Sequence, residues 1–84
     1  MQMQTAILNR HRLRQVRERA GLSQAELARR SKLTPPGLNK IETGKRRIGP
    51  DALRRVVDAL AVALDMPPDE VRGLITTDVD SAAA

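Results

Sequence analysis

Between Ile7 and Ala20, apolar side chains recur at three- and four-residue steps through Leu13, Val16 and Ala20, with Arg, Gln and Glu between them. That spacing predicts an amphipathic first helix over 7–20, ended by Gly21, which enters the left-handed conformation that other residues resist. Ser23 then opens a second helix with a capping box: its hydroxyl can accept the Glu26 N–H while the Glu26 carboxylate reaches back. Ala25, Leu27 and Ala28 give this helix its inward side to about Ser31. A tight connection at Ser31-Lys32-Leu33 leads to a third helix, capped by Thr34, carrying Leu38 and Ile41 inward and ending near Thr43. Two short helices at this spacing share one small core and leave the outer face of the second free.

The remaining pattern is simpler. Residues 44–50, GKRRIGP, form a basic loop punctuated by glycine and proline. Pro50 suits the first position of a fourth helix and Asp51 its dipole. Leu53, Val56, Val57, Leu60, Ala61 and Leu64 form one stripe along that helix. Met66-Pro67-Pro68 breaks the chain, and Asp69 and Glu70 open a short fifth helix through about Leu74. The expected architecture is all-α, a compact five-helix bundle over 7–75. Residues 1–6 and 76–84 are expected to be flexible termini. With no repeat and 84 residues, the chain reads as one domain whose unfolded surface is buried only to about 60–65%.

Composition narrows the chemistry. Phe, Tyr, Trp and Cys are absent, so the core is aliphatic, and disulfides and cysteine-ligated metal are excluded. The lone His11 can build neither a triad nor a metal site and reads as solvated. No nucleophile–base pair or phosphate loop is present, so catalysis and cofactors are not expected. No apolar run approaches the roughly 18–20 residues of a membrane span, and MQMQTAILN lacks a signal pattern. The net charge of +5 hides a polarity: residues 1–57 balance to +10 and residues 58–84 to −5. A polyanion-facing N-terminal part and an acidic part turned elsewhere follow from that asymmetry, although a basic surface kept only for solubility would look the same.

The ordered set Leu13, Arg17, Gly21-Leu22-Ser23-Gln24, Glu26-Leu27-Ala28, Leu38, Ile41-Glu42 and Gly44-Lys45 resembles the Cro/C1-type (XRE) helix-turn-helix family of phage and bacterial repressors. The likeness spans about residues 8–74, with the motif itself near 24–43. It implies a lambda-repressor-like DNA-binding domain in a bacterial or phage-encoded cytoplasmic protein. The third helix would enter the major groove of double-stranded DNA. By this resemblance the base-reading face is Pro35, Pro36, Gly37, Asn39 and Lys40. Lys40 can donate to guanine, and Asn39 can pair with adenine or hold a phosphate. Ser23, Gln24, Thr34, Thr43, Lys45, Arg46 and Arg47 would bind phosphate, and Arg17 with Glu42 would form a partly buried structural ion pair.

Two departures from the family pattern stand in this region. Lys32 occupies the inter-helix position where glycine is usual. Pro35 precedes a proline and is biased away from helical geometry, which favours a helix beginning one residue late at Pro36.

The fourth helix is about one turn longer than is usual in the family. Its Ala59, Val62 and Ala63, with Met66, Val71, Leu74 and Ile75, form either a dimer surface or a wider core. A homodimer on a palindromic operator follows from the common mode of this class. The reading is a sequence-specific transcriptional regulator, most simply a repressor. Two alternatives remain: an antitoxin or controller whose acidic C-terminal part contacts a protein partner, and a protein-interaction module without base readout.

Overall fold

The computed structural model describes residues 6–78. The chain runs as strand β1 (Ala6–Leu8), helices α1 (Arg10–Arg19), α2 (Gln24–Arg30), α3 (Pro35–Glu42), α4 (Pro50–Leu64) and α5 (Pro68–Ile75), and strand β2 (Thr76–Asp78). The five expected helices are present. Their shared core is aliphatic: Leu13, Leu27, Leu38, Val56, Leu60, Val71 and Ile75 are fully buried, each from a different turn of the bundle. Ala28 is also fully buried, a small side chain where α2 packs on α3.

The ends differ from the sequence reading. β1 and β2 pair antiparallel, with Ala6 opposite Asp78, Ile7 opposite Thr77 and Leu8 opposite Thr76. The first helix therefore starts at Arg10, not Ile7, because Asn9 caps it: the Asn9 Oδ1 accepts the His11 and Arg12 N–H groups at 3.1 Å each. The Asn9 N–H donates to the Ile75 carbonyl at 2.8 Å and ties the start of α1 to the end of α5. Residues 76–78, expected to be flexible, close this ribbon. The strand has no pattern of its own; it forms because the bundle brings both chain ends side by side. The flexible ends expected at 1–5 and 79–84 lie outside the described residues.

The first four helices end in one recurring turn. The N–H of Leu22 reaches the Arg17 carbonyl, Leu33 reaches Ala28, Lys45 reaches Lys40 and Met66 reaches Ala61, at 2.8–3.2 Å. Each turn needs one left-handed residue. Glycine supplies it at Gly21 and Gly44, but Lys32 (φ 58°) and Asp65 (φ 55°) adopt it with a side chain attached. The third helix also departs from the expected late start. Thr34 caps it and Pro35 and Pro36 take its first two positions, where no backbone N–H is needed.

The surface proposed for dimerisation is partly core. Val71 and Ile75 are 0% exposed and Ala59 is buried, because α5 packs against α1 and α4 and the long fourth helix floors that contact. Ala63, Met66 and Leu74 are half-buried around this core, while Val62 stands out at 78% exposure. For Ala59, Val71 and Ile75 the wider core is the correct reading.

Candidate nucleic-acid interface

The supporting helix α2 is set by its capping box. The Ser23 Oγ accepts the Glu26 N–H at 3.0 Å, and the Glu26 carboxylate accepts the Ser23 N–H at 2.9 Å. That backbone bond, followed by the Ser23 hydroxyl and the nearby Arg30 and Arg29, holds the Glu26 carboxyl below its ordinary pKa. The Ser23 oxygen accepts this one bond, and its own proton can be donated outward.

Beneath α2 and α3 lies the polar centre of the molecule. The Arg17 guanidinium grips both Glu42 oxygens, Nε to Oε2 at 2.7 Å and Nη2 to Oε1 at 3.1 Å, and its Nη1 donates to the Leu22 carbonyl at 3.0 Å. Both side chains are almost wholly buried, at 10% and 3% exposure. Glu42 Oε1 accepts a further bond from the Gln24 Nε2 at 3.0 Å, and the Gln24 Oε1 accepts from the Asn39 Nδ2 at 3.3 Å. This order has a chemical cause. An ionised carboxylate can only accept, so Gln24 must turn its NH2 toward Glu42 and its oxygen toward Asn39. Asn39 must then give an N–H inward and leave its Oδ1 and second N–H facing out. A buried ion pair thus sets the polarity of an exposed amide on α3.

The start of α3 is unusually poor in donors. Pro35 and Pro36 have no N–H, and the Gly37 N–H is taken by the Thr34 Oγ1 at 3.1 Å. Gly37 is buried, and a Cβ there would stand 2.9 Å from that hydroxyl. It is thus not on the expected reading face; it is the space the Thr34 cap requires. The exposed residues of this face are Pro35 and Pro36, which can offer only ring surface, and Asn39 and Lys40.

At the far end, the Thr43 hydroxyl donates to the Asn39 carbonyl at 2.9 Å, with the Lys40 carbonyl at 3.3 Å, so its proton is committed to closing α3 rather than to a phosphate. Gly44, at φ 81°, then turns the chain and leaves Lys45, Arg46 and Arg47 exposed. The Arg46 guanidinium folds back to within 3.6 Å of the Cβ position of Gly37, beside the start of α3. Arg10, which sequence reasoning did not single out, lays its guanidinium over Gly44, with Nε 2.9 Å from where a Cβ would stand. No local signal marks Arg10, because only the packing of α1 beside the end of α3 adds it to the loop cations. None of Arg10, Lys40, Lys45, Arg46 and Arg47 has a carboxylate partner within ion-pair distance among the described residues.

Among the described residues, no group of His, Cys, Asp and Glu could hold a metal, and no helix is long and apolar enough to cross a membrane.

Two capped helices over one core, with the second presenting a solvent-facing side rimmed by unpaired cations, define a helix-turn-helix domain. The chain belongs to that family: the model described as "Helix-turn-helix domain" matches residues 10–74. Among solved structures it is similar to the clp gene regulator ClgR from Corynebacterium glutamicum, with 27% identity and a TM-score of 0.62. That match covers 74% of this chain and 62% of the other, so the chain spans about three-fifths of the length of ClgR. It is also similar to the restriction-modification controller protein C.AhdI from Aeromonas hydrophila, with 35% identity and a TM-score of 0.58, covering 74% of this chain and 88% of that one. No curated protein matches it.

Proposed function

We propose that this chain is a sequence-specific, non-enzymatic DNA-binding regulator of transcription, working in the cytoplasm of a bacterium, most simply as a repressor. It lays α3 in the major groove and acts as a homodimer on a palindromic operator. The observation that carries this reading is the exposed side of α3, bounded by Arg10 and the Lys45–Arg47 loop and held from below by Arg17, Glu42 and Gln24. Cations on the rim neutralise phosphates and set affinity and register, whereas groups on the helix face select bases.

Lys40 suits guanine O6 or N7. Asn39 offers an outward oxygen beside an outward N–H, the pair that adenine N6 and N7 take. The bare rings of Pro35 and Pro36 suit thymine methyls. Binding alone would regulate, by blocking or positioning polymerase. In-vitro selection with the purified chain, followed by footprinting, tests the reading. Enrichment of a two-fold symmetric site supports it; uniformly weak, strongly salt-dependent binding without a preferred site overturns it.

A second reading, a controller-type regulator, is supported by the 35% identity to C.AhdI, a restriction-modification controller protein; a protein partner for it would meet the acidic C-terminal part. Its test is whether the product of a neighbouring gene co-purifies with the tagged chain.

A further inference from the structure

A groove between the end of α2 and the outer side of α4 shares no residue with the nucleic-acid face. It is lined by Arg30, Lys32, Arg55, Asp58, Ala59 and Val62. Arg55, Ala59 and Val62 recur at steps of four and three, so they form one stripe along α4. Val62, at 78% exposure, is the most exposed large apolar side chain among the described residues. Arg30 and Lys32 stand exposed on the other wall and make no ion pair among the described residues. Arg55 is fixed between the walls: its Nε donates to the Ser31 carbonyl at 2.9 Å and its Nη1 to Asp51. Lys32 adds a second kind of evidence. Its turn is one that Gly21 and Gly44 make without strain, yet Lys32 holds φ 58° and brings an unpaired ammonium to the groove.

We propose that this groove docks an acidic, amphipathic helical segment of a different protein. The segment lays its aliphatic side on Ala59 and Val62 and turns its carboxylates to Arg30 and Lys32. The inference goes beyond the DNA reading and does not depend on it. Charge chooses the occupant: two unpaired cations border an apolar stripe, the complement of a helix with carboxylates beside leucines. Nucleic acid suits the groove less well. The chain has no aromatic ring on which a base could stack, and Asp58 in the lining repels phosphate. A second copy suits it less well too, because α2 and α4 of one chain would meet an unlike surface of the next and build an open array. The strain at Lys32 then has a use, since glycine in its place would relieve the turn and remove one of the two cations.

Amide NMR of the nitrogen-labelled full chain tests this, with a synthetic helical peptide of about 15 residues as the probe. The peptide carries leucines along one stripe and glutamates beside it; a second peptide has lysine at every glutamate. The glutamate peptide should shift the amides of Lys32, Arg55, Ala59 and Val62 saturably, and those of Asn39, Lys40 and Lys45–Arg47 far less. Arg30→Glu should weaken it about tenfold, and the lysine peptide should bind that variant better than the wild type. Lys32→Gly should weaken it severalfold while raising Tm, opposite effects that a merely structural role for Lys32 would not produce. Val62→Ser should weaken it severalfold and leave binding to a random duplex unchanged.

The proposal is overturned if the glutamate peptide shifts no amide at about 1 mM, or if its shifts centre on α3 and the Lys45–Arg47 loop. It is equally overturned if the lysine peptide binds the wild type as well, or if Lys32→Gly or Val62→Ser leaves the affinity unchanged. Shifts of the groove amides on adding a random duplex would make this a nucleic-acid surface. Shifts of the same amides with protein concentration alone would make it a contact between copies. Either result overturns the proposal too.

Discussion

Lys32 holds a left-handed backbone at φ 58° so that the Leu33 N–H can reach the Ala28 carbonyl and bring α3 around to pack on α2. For a residue with a Cβ that conformation costs on the order of 1–2 kcal/mol, of which glycine would return part to the unfolded chain as entropy. Lys32→Gly should therefore stabilise the fold by about 0.5–1 kcal/mol and raise Tm by several degrees, whereas Lys32→Ala, equally strained, should not. Differential scanning calorimetry of the two variants checks this.

A second residue-scale test concerns Gly37. A Cβ there would press within 2.9 Å of the Thr34 hydroxyl that caps α3, so Gly37→Ala sets a helix-propensity gain against a lost cap. Thr34→Ala alone should cost about 1 kcal/mol. In that background Gly37→Ala should become stabilising, and a double-mutant cycle in urea reads the coupling. Lys32 in the place of the usual glycine was legible in the sequence, whereas the late helix start expected from Pro35 gives way in the structure to a helix beginning at Pro35. What one chain could not reveal is that Gly37 is buried against the Thr34 cap.

At the scale of elements, the helix pair is held by a polar chain rather than by area alone. Glu42 is buried and accepts from Arg17 twice and from Gln24 once. Glu42→Ala strands the Arg17 guanidinium without its carboxylate, a change worth about 3–5 kcal/mol, a large share of the stability of a domain this small. Its Tm should fall steeply and DNA binding with it; an unchanged melting curve would show that the pair is not what orients α3. Gln24→Ala is the sharper companion. It spares the ion pair and frees the Asn39 amide, so stability should change by about 1 kcal/mol or less while preference relaxes at the base pair Asn39 reads. Selection of binding sites with this variant checks that outcome. Of this arrangement, the Arg17–Glu42 pair was implied by the family likeness. The Gln24–Asn39 link was not, because fourteen intervening residues separate two amides whose contact depends on how the helices cross.

At the scale of the molecule, charge and symmetry dominate. Arg10, Lys45, Arg46 and Arg47 surround the exposed face of α3, while the exposed carboxylates Asp69 and Glu70 lie on α5. Replacing any one of these cations by alanine should weaken DNA binding about equally for all sequences and lower the slope of log K against log salt by about 1. Lys40→Ala should instead change which sequence is preferred. Titrations at several salt concentrations on specific and random duplexes distinguish these two behaviours.

Five helices, the Ser23 and Thr34 caps, the glycine and proline breaks, the aliphatic core and the polarity of charge could all be read along the chain. All of these are local periodicities or sums, which need no knowledge of what meets what. Only the tertiary structure decided that Ile7 belongs to a strand, that Val71 and Ile75 are core, that Arg10 joins the loop cations and that Asn39 is oriented from a buried carboxylate. Each of these depends on two segments distant along the chain arriving side by side. A side chain's period sets its face on a helix, and packing sets what that face meets.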